Sequence, residues 1–293
     1  MMRKVLVTGA TGRIGGQLVP RLAGYNDIAV RAFVRNAKKA ASLEASGAEL
    51  ALGRLEDPQS VRIAVDGIDT VVLITPATPD AADQASSVLA AAKAAGVRKI
   101  VRISVFKAAV DGPSGITRLH GRTDSEILES GLTYTVLRPP FFMQNLFFMA
   151  ADSLAREGRL YFGIGYGKLG MIDLRDIVDC AESCVVSDAY DDQVFTLTGP
   201  ESIGFHHVAS RLNDILGRPV QYIPVPPEAV ERSIRAMGMG EWYAQVMRDL
   251  CRAYSENWGD LTTDSVARIT GRAPRSFDVF AREVMLPALA VAG

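Results

Sequence analysis

Three glycines, Gly9, Gly12 and Gly15, stand between the apolar run Val5-Leu6-Val7 and a segment with helical patterning. Without a Cβ the backbone there can turn sharply and approach a dinucleotide pyrophosphate. The N–H groups and dipole at the start of the following helix favour that negative charge. Glycine spacing alone is a weak signal, and the preceding strand and following helix make this one specific. Thr11, Arg13 and Ile14 complete the loop and are predicted to share the contact. About twenty residues past such a loop, at the end of the second strand, sites for NAD place a carboxylate against the ribose hydroxyls. Here that place holds Arg35. A guanidinium pairs with the 2′-phosphate of NADP, which a carboxylate would repel. NADPH is therefore the predicted cofactor. Arg13 is a second candidate for the same phosphate, and Lys39 is either an added positive charge or a solvated surface residue.

Thr75-Pro76 and Ser104 follow the fourth and fifth apolar runs, at carboxyl ends of strands where open α/β sheets bind ligands. They either line the dinucleotide groove, Ser104 near the nicotinamide, or simply end their strands. None of the eight tyrosines is followed four residues later by lysine. A simple ketone receiving hydride becomes an alkoxide and needs a positioned acid, commonly a tyrosine activated by lysine. A quinone or conjugated dye needs less help, because the arriving charge is delocalised. His120 is the candidate proton donor, its ordinary pKa lying near neutrality, and a structural histidine is the alternative. The run 141–149 is dense in phenylalanine and methionine. Phe141 and Phe142, immediately after the sixth strand, are predicted to wall a flat apolar substrate, with core packing an equal alternative. Gly163 to Gly170 is either a flap or a plain turn. His206-His207 lack partners at ligand spacing, so no metal is predicted.

Short β-branched runs alternate with helical segments from the start: Val5 to Val7, Ile28 to Val34, Ala48 to Leu52, Thr70 to Ile74, Lys99 to Ile103 and Tyr134 to Leu137. Continuous apolar strands separated by helical lengths imply a parallel sheet covered on both faces. The fold class predicted is α/β, a doubly wound Rossmann sheet with a smaller, mainly helical C-terminal substrate cap. Residues 1–150 are assigned to the NADP-binding core. Residues 151–293 are assigned to a mixed region that completes the sheet through Gln193 to Leu197 and forms the cap.

With 32 basic and 33 acidic residues the net charge is −1, so no global field attracts nucleic acid or an anionic membrane. Hydrophobic residues make up 48% of the chain, yet no apolar run approaches the roughly 20 residues that span a bilayer. The first residues run straight into a strand without a signal-peptide pattern. Cys180, Cys184 and Cys251 form no CxxC pair, which fits a reducing, cytoplasmic compartment. The expected partner is a small aromatic or quinone molecule, and the oligomeric state is left open.

Longer segments carry a resemblance. Val7 to Gly15, Ala91 to Val101, His120 with Glu126, Ser130 to Pro139, Ile172 to Ile177 and Thr270 to Phe277 together resemble the NmrA-like family of atypical short-chain dehydrogenases/reductases. The match spans nearly the whole chain and looks nearest the bacterial quinone-reductase branch. It implies NADPH-dependent hydride transfer to a conjugated acceptor such as a quinone or azo-type aromatic. It also places Asn145 beside the substrate and His120 at the family's histidine. The family's other members imply two alternatives: a non-catalytic NADP(H) sensor acting through a protein partner, and a tailoring reductase for an aromatic natural product. Fold transfers better than activity. One departure is Gly53-Arg54-Leu55-Glu56-Asp57, where relatives often have Gly-Asp-Leu. Arg54 replaces an acceptor with a donor, altering adenine recognition or adding to the phosphate contacts.

Overall fold

The computed structural model describes residues 2–292, with the side chains of Phe148, Met149 and residues 290–292 outside that description. In chain order it places β1 (Arg3–Val7), α1 (Gly15–Ala23), β2 (Ile28–Val34), α2 (Ala41–Ala45), β3 (Glu49–Leu52), α3 (Pro58–Val65), β4 (Thr70–Leu73), α4 (Ala81–Ala94), β5 (Lys99–Ile103), α5 (Gly115–Leu128) and β6 (Thr133–Arg138). The alternation then breaks for α6 (Asn145–Glu157) and β7 (Arg159–Phe162), and resumes with α7 (Leu174–Val186) and β8 (Gln193–Thr196). The remainder is α8 (Phe205–Leu216), β9 (Gln221–Pro224), α9 (Pro227–Ala236), α10 (Glu241–Ser255), α11 (Ser265–Thr270), α12 (Phe277–Phe280) and α13 (Leu286–Ala292).

The chain forms two compact units. The first takes the chain up to Gly112, then Ile116–Arg138 and Ile177–Thr196; the second takes Pro113–Gly115, Pro139–Asp176 and the chain from Leu197 onward. In the first unit seven strands form one sheet in the order β3-β2-β1-β4-β5-β6-β8, and every neighbouring pair is parallel. This is the predicted Rossmann-type sheet. Its apolar runs are covered on both faces, with Val5, Leu6, Val7, Val71, Val72, Leu73, Ile100 and Val101 all buried. Strand order reverses between β1 and β4, so their carboxyl ends splay apart into a crevice. The expected return of Gln193 to the sheet is found in β8, which pairs Thr135 with Gln193 and Arg138 with Thr196.

The second unit has its own core, built on Phe141, Phe162, Phe205, Phe277 and Phe280. Its two-stranded parallel sheet pairs Leu160 of β7 with Tyr222 of β9. The glycine-rich segment 163–170 is a pinned turn rather than a flap. Ile164 and Leu169 are fully buried, and Leu169 bridges to both Ile203 and Gly259. All three cysteines are buried and none forms a disulfide, burial pushing the Cys184 and Cys251 thiols up to about 12. Among the described residues no helix is long and apolar enough to cross a membrane.

Candidate functional site

At the β1/β4 crevice of the first unit lies a cleft of about 350 Å³, walled by Gly9, Thr11 and Gly12, by Arg35 at the end of β2, by Gly53, Leu55 and Glu56 after β3, and by Thr75, Pro76 and Gln84. The turn from Gly9 to Gly15 is shaped by its backbone. Gly9 adopts φ +59°, and the Gly12 N–H donates to the Gly9 carbonyl at 2.9 Å. A Cβ on Gly15 would lie 2.5 Å from the Gly9 oxygen and 2.7 Å from the Ala10 Cα, a space only glycine leaves open. Among the described residues no side chain caps α1, and the N–H groups of Gly16, Gln17 and Leu18 donate to the Gly12 and Ile14 carbonyls, so an anion at this helix start would be met by the loop backbone and the helix dipole. These features fit a dinucleotide pyrophosphate. Thr8 anchors the loop to β4: its hydroxyl donates to the Ile74 carbonyl and accepts from the Ile74 N–H, each at 2.8 Å.

Arg35 is exposed at the rim, and among the described residues its guanidinium has no hydrogen-bond or ion-pair partner. Arg31, in the same strand, is by contrast paired with Glu49. Arg13 is exposed on the loop, while the Ile14 side chain belongs to the core, leaving its backbone to face a ligand. Arg54 is exposed and pairs weakly with Glu56 at 3.7 Å; the cleft wall there is Gly53, Leu55 and Glu56. Glu56 accepts a hydrogen bond from the Gln84 amide at 3.1 Å.

A second polar group is built where β4, β5 and β6 end. Arg102 of β5 lies in register with Leu73 of β4 and Val136 of β6 and is fully buried. Its Nη1 donates to the Leu73 carbonyl and the Thr75 hydroxyl, and its Nη2 to the same hydroxyl, all at 3.2 Å. Nη2 also meets His120 Nδ1 at 3.1 Å. One turn further along α5, the Asp124 carboxylate accepts from the Ser104 hydroxyl and from Arg138 Nε, both at 2.8 Å. His120 and Asp124 thus share a face at i and i+4. Close packing fixes that face, since a Cβ on Gly121 would come within 2.2 Å of the Ala109 backbone.

Burial, and then the Arg102 charge, holds His120 well below its ordinary pKa, so the ring is neutral. Burial lowers Arg102 to about 10, against the pull of Asp124. Burial raises the Asp124 carboxyl, while Arg102, Arg138 and Ser104 draw it back. The Ser104 hydroxyl, expected at the nicotinamide, is buried and committed to Asp124.

The segment from residue 9 to residue 146 matches a family model described as NAD(P)H-binding. An NAD(P)H azoreductase of Xenophilus azovorans is 35% identical over 278 residues, 95% of this chain and 96% of that protein. The chain belongs to the NAD(P)H-binding, NmrA-like family. Two solved structures share the fold of this family member. An NADPH-dependent quinone oxidoreductase of Escherichia coli complexed with NADPH has a TM-score of 0.85 at 23% identity, covering 98% of this chain and 99% of that one. A Citrobacter triphenylmethane reductase complexed with NADP(H) has a TM-score of 0.83 at 23% identity, covering 95% and 99%.

In this NmrA-like chain the three substrate residues read from sequence lie in the second unit. Phe141 is committed to that unit's core, its ring 5.7 Å from Phe162 and 6.0 Å from Phe205. Phe142 is half-buried and bridges to Ile172, and Asn145 opens α6. Sequence reasoning missed Arg102, Arg138 and Gln84. Arg102 sits in a run that reads as an ordinary buried strand, and nothing local shows where its guanidinium goes. Asp124 did carry a signal, four residues from His120 on one helix.

Proposed function

We propose that this chain is an NADPH-dependent reductase of conjugated acceptors, quinones or azo-type aromatics. The observation that carries the reading is Arg35, a guanidinium without a partner among the described residues at the rim of a glycine-floored cleft. Its fork suits the 2′-phosphate that distinguishes NADPH from NADH. The acceptor class draws support from the azoreductase likeness and from the lack of a Tyr-x-x-x-Lys acid.

When bound, the nicotinamide supplies a hydride. The chain's own residues bind and orient. The loop Gly9 to Gly15 holds the pyrophosphate at the start of α1, and Thr75 and Pro76 form a wall of the cleft. His120 offers a hydrogen bond to the acceptor. Charge arriving on a quinone oxygen is delocalised, so one donor suffices where a ketone would need an acid. Phe142 and Asn145 are the residues assigned to substrate contact, and a cytoplasmic location completes the proposal.

NADPH oxidation with a panel of quinones and azo dyes, alongside fluorescence titration of NADPH, tests it. Turnover of at least one acceptor class is expected. Tight NADPH binding with no acceptor reduced at any pH would overturn the enzyme and leave a dinucleotide sensor. His120→Ala should slow turnover by about 10- to 100-fold, the scale of losing one transition-state donor, with NADPH affinity preserved.

A further inference from the structure

We infer that Arg102 is a positioning residue that sets the tautomer of His120, holding Nδ1 as an acceptor so that the neutral ring presents an Nε2–H donor and keeps its own proton. A guanidinium has donors only. The 3.1 Å contact between Arg102 Nη2 and His120 Nδ1 therefore requires a lone pair on Nδ1. An imidazolium would set N–H against N–H and place two cations in contact. The ring proton must then sit on Nε2, which has no partner among the described residues.

Arg102 cannot drift away from this contact. Leu73 and Thr75 hold both of its terminal nitrogens, and Thr75 is itself a wall of the cleft; its buried Nε has no partner among the described residues. The charged groups of the cluster are Arg102 from β5, Asp124 from the same helix as His120, and Arg138 from β6. Asp124 accepts from Ser104 and Arg138, so Arg102 is buried with a nearby countercharge but no carboxylate hydrogen bond. Burying a guanidinium this way is costly, and an apolar residue would serve a central strand better. Its presence there is explained if the site needs a fixed, neutral donor. Burial and the Arg102 charge both keep the ring from protonating.

The chemistry rests on the reductase reading above. Hydride from the cofactor reaches the acceptor, negative charge develops on its oxygen or nitrogen, and Nε2–H stabilises that charge through a hydrogen bond. Transfer of that proton would leave an imidazolate, so the product anion takes its proton from water, releasing hydroxide to the buffer. Turnover should then be insensitive to histidine ionisation. An imidazolium acid would instead lose activity above its ordinary pKa of about 6.5.

The test is nitrogen-15 NMR of the histidine rings in the full-length protein saturated with NADP+, with His120→Gln to assign the signal. The expected result is an unprotonated Nδ1 and a protonated Nε2, unchanged between about pH 5.5 and 8.5, a span bracketing the ordinary histidine pKa. Arg102→Met should release the ring into a mixture of tautomers that titrates. With quinone it should lower kcat by about 10-fold or more while the KM for NADPH stays within about threefold. Arg102→Lys should restore the wild-type tautomer. A wild-type His120 that titrates in that window, or carries its proton on Nδ1, overturns the inference, as does an unchanged tautomer in Arg102→Met. If Arg102→Met does not fold, the wild-type spectrum and Arg102→Lys decide by the same criteria. If no acceptor is reduced, the reductase reading fails while the spectra still decide the role of Arg102.

Discussion

The glycine loop after β1 and the polar cluster on β5, α5 and β6 both stand at carboxyl ends of strands in the first unit, yet one is made of backbone and the other of buried charge. The loop works through what is missing: no Cβ at Gly15, no cap on α1, no partner on Arg35 among the described residues. The cluster works through mutual engagement, with Arg102 and His120 in one hydrogen-bonded set and Ser104, Asp124 and Arg138 in another, although Arg102 Nε and Asp124 Oδ1 stay without a partner among the described residues. Open donors suit a ligand that brings its own charge. Closed networks suit a side chain whose protonation must not change.

Asp124→Asn should show the largest effect, because removing one partner of a buried charge pair strands the other. A loss of about 3–5 kcal/mol in urea unfolding is expected. A loss below about 1 kcal/mol would make the cluster energetically like an exposed pair and erase its contrast with the rim. At the rim, Arg35→Ala should leave stability unchanged and weaken NADPH by about 1.5–3 kcal/mol, the worth of a charged hydrogen bond. NADH affinity should be unaffected, and equal losses for both cofactors would remove Arg35 from the phosphate site. Gly15→Ala should cost about 1–3 kcal/mol of stability through overpacking, with dinucleotide titration showing binding lost.

The smallest effect is a pH slope. The folded-state pKa of His120 is depressed, so the unfolded chain binds a proton that the native chain refuses. Stability is fully present above the unfolded value of about 6.5 and is lost progressively as pH falls below it, at up to about 1.4 kcal/mol per unit. His206 is shifted in the same direction by burial. The check is therefore the difference in urea midpoint between wild type and His120→Gln from pH 7.5 to 5.5. Identical slopes would show that His120 is not held neutral.

How much of this was legible in the sequence follows from the same contrast. The strands, the loop and Arg35 are written in short range, where apolar period, glycine spacing and distance along the chain determine placement. Gln193 to Leu197 announced its return to the sheet through its strand pattern. The cluster is written in long range. Lys99 and Arg102 are both buried in β5, against the usual exposure of cations, and only the tertiary fold supplies Asp191 and the Thr75–His120 pair that receive them. Phe141 shows the opposite case. Its place right after β6 allowed a ligand wall or core packing equally; the chain leaves the first unit at residue 139 and the ring packs in another core.

That departure has a consequence for synthesis. Every polar group of the cleft and the cluster lies at or before Arg138, yet the strand that covers β6 is not made until residues 193–196. While the ribosome makes the intervening residues, β6 waits as an open edge able to pair with another chain. The nascent protein therefore holds its complete chemistry before it holds a closed sheet, and a chain stopped at residue 176 would carry the whole site on a template for aggregation.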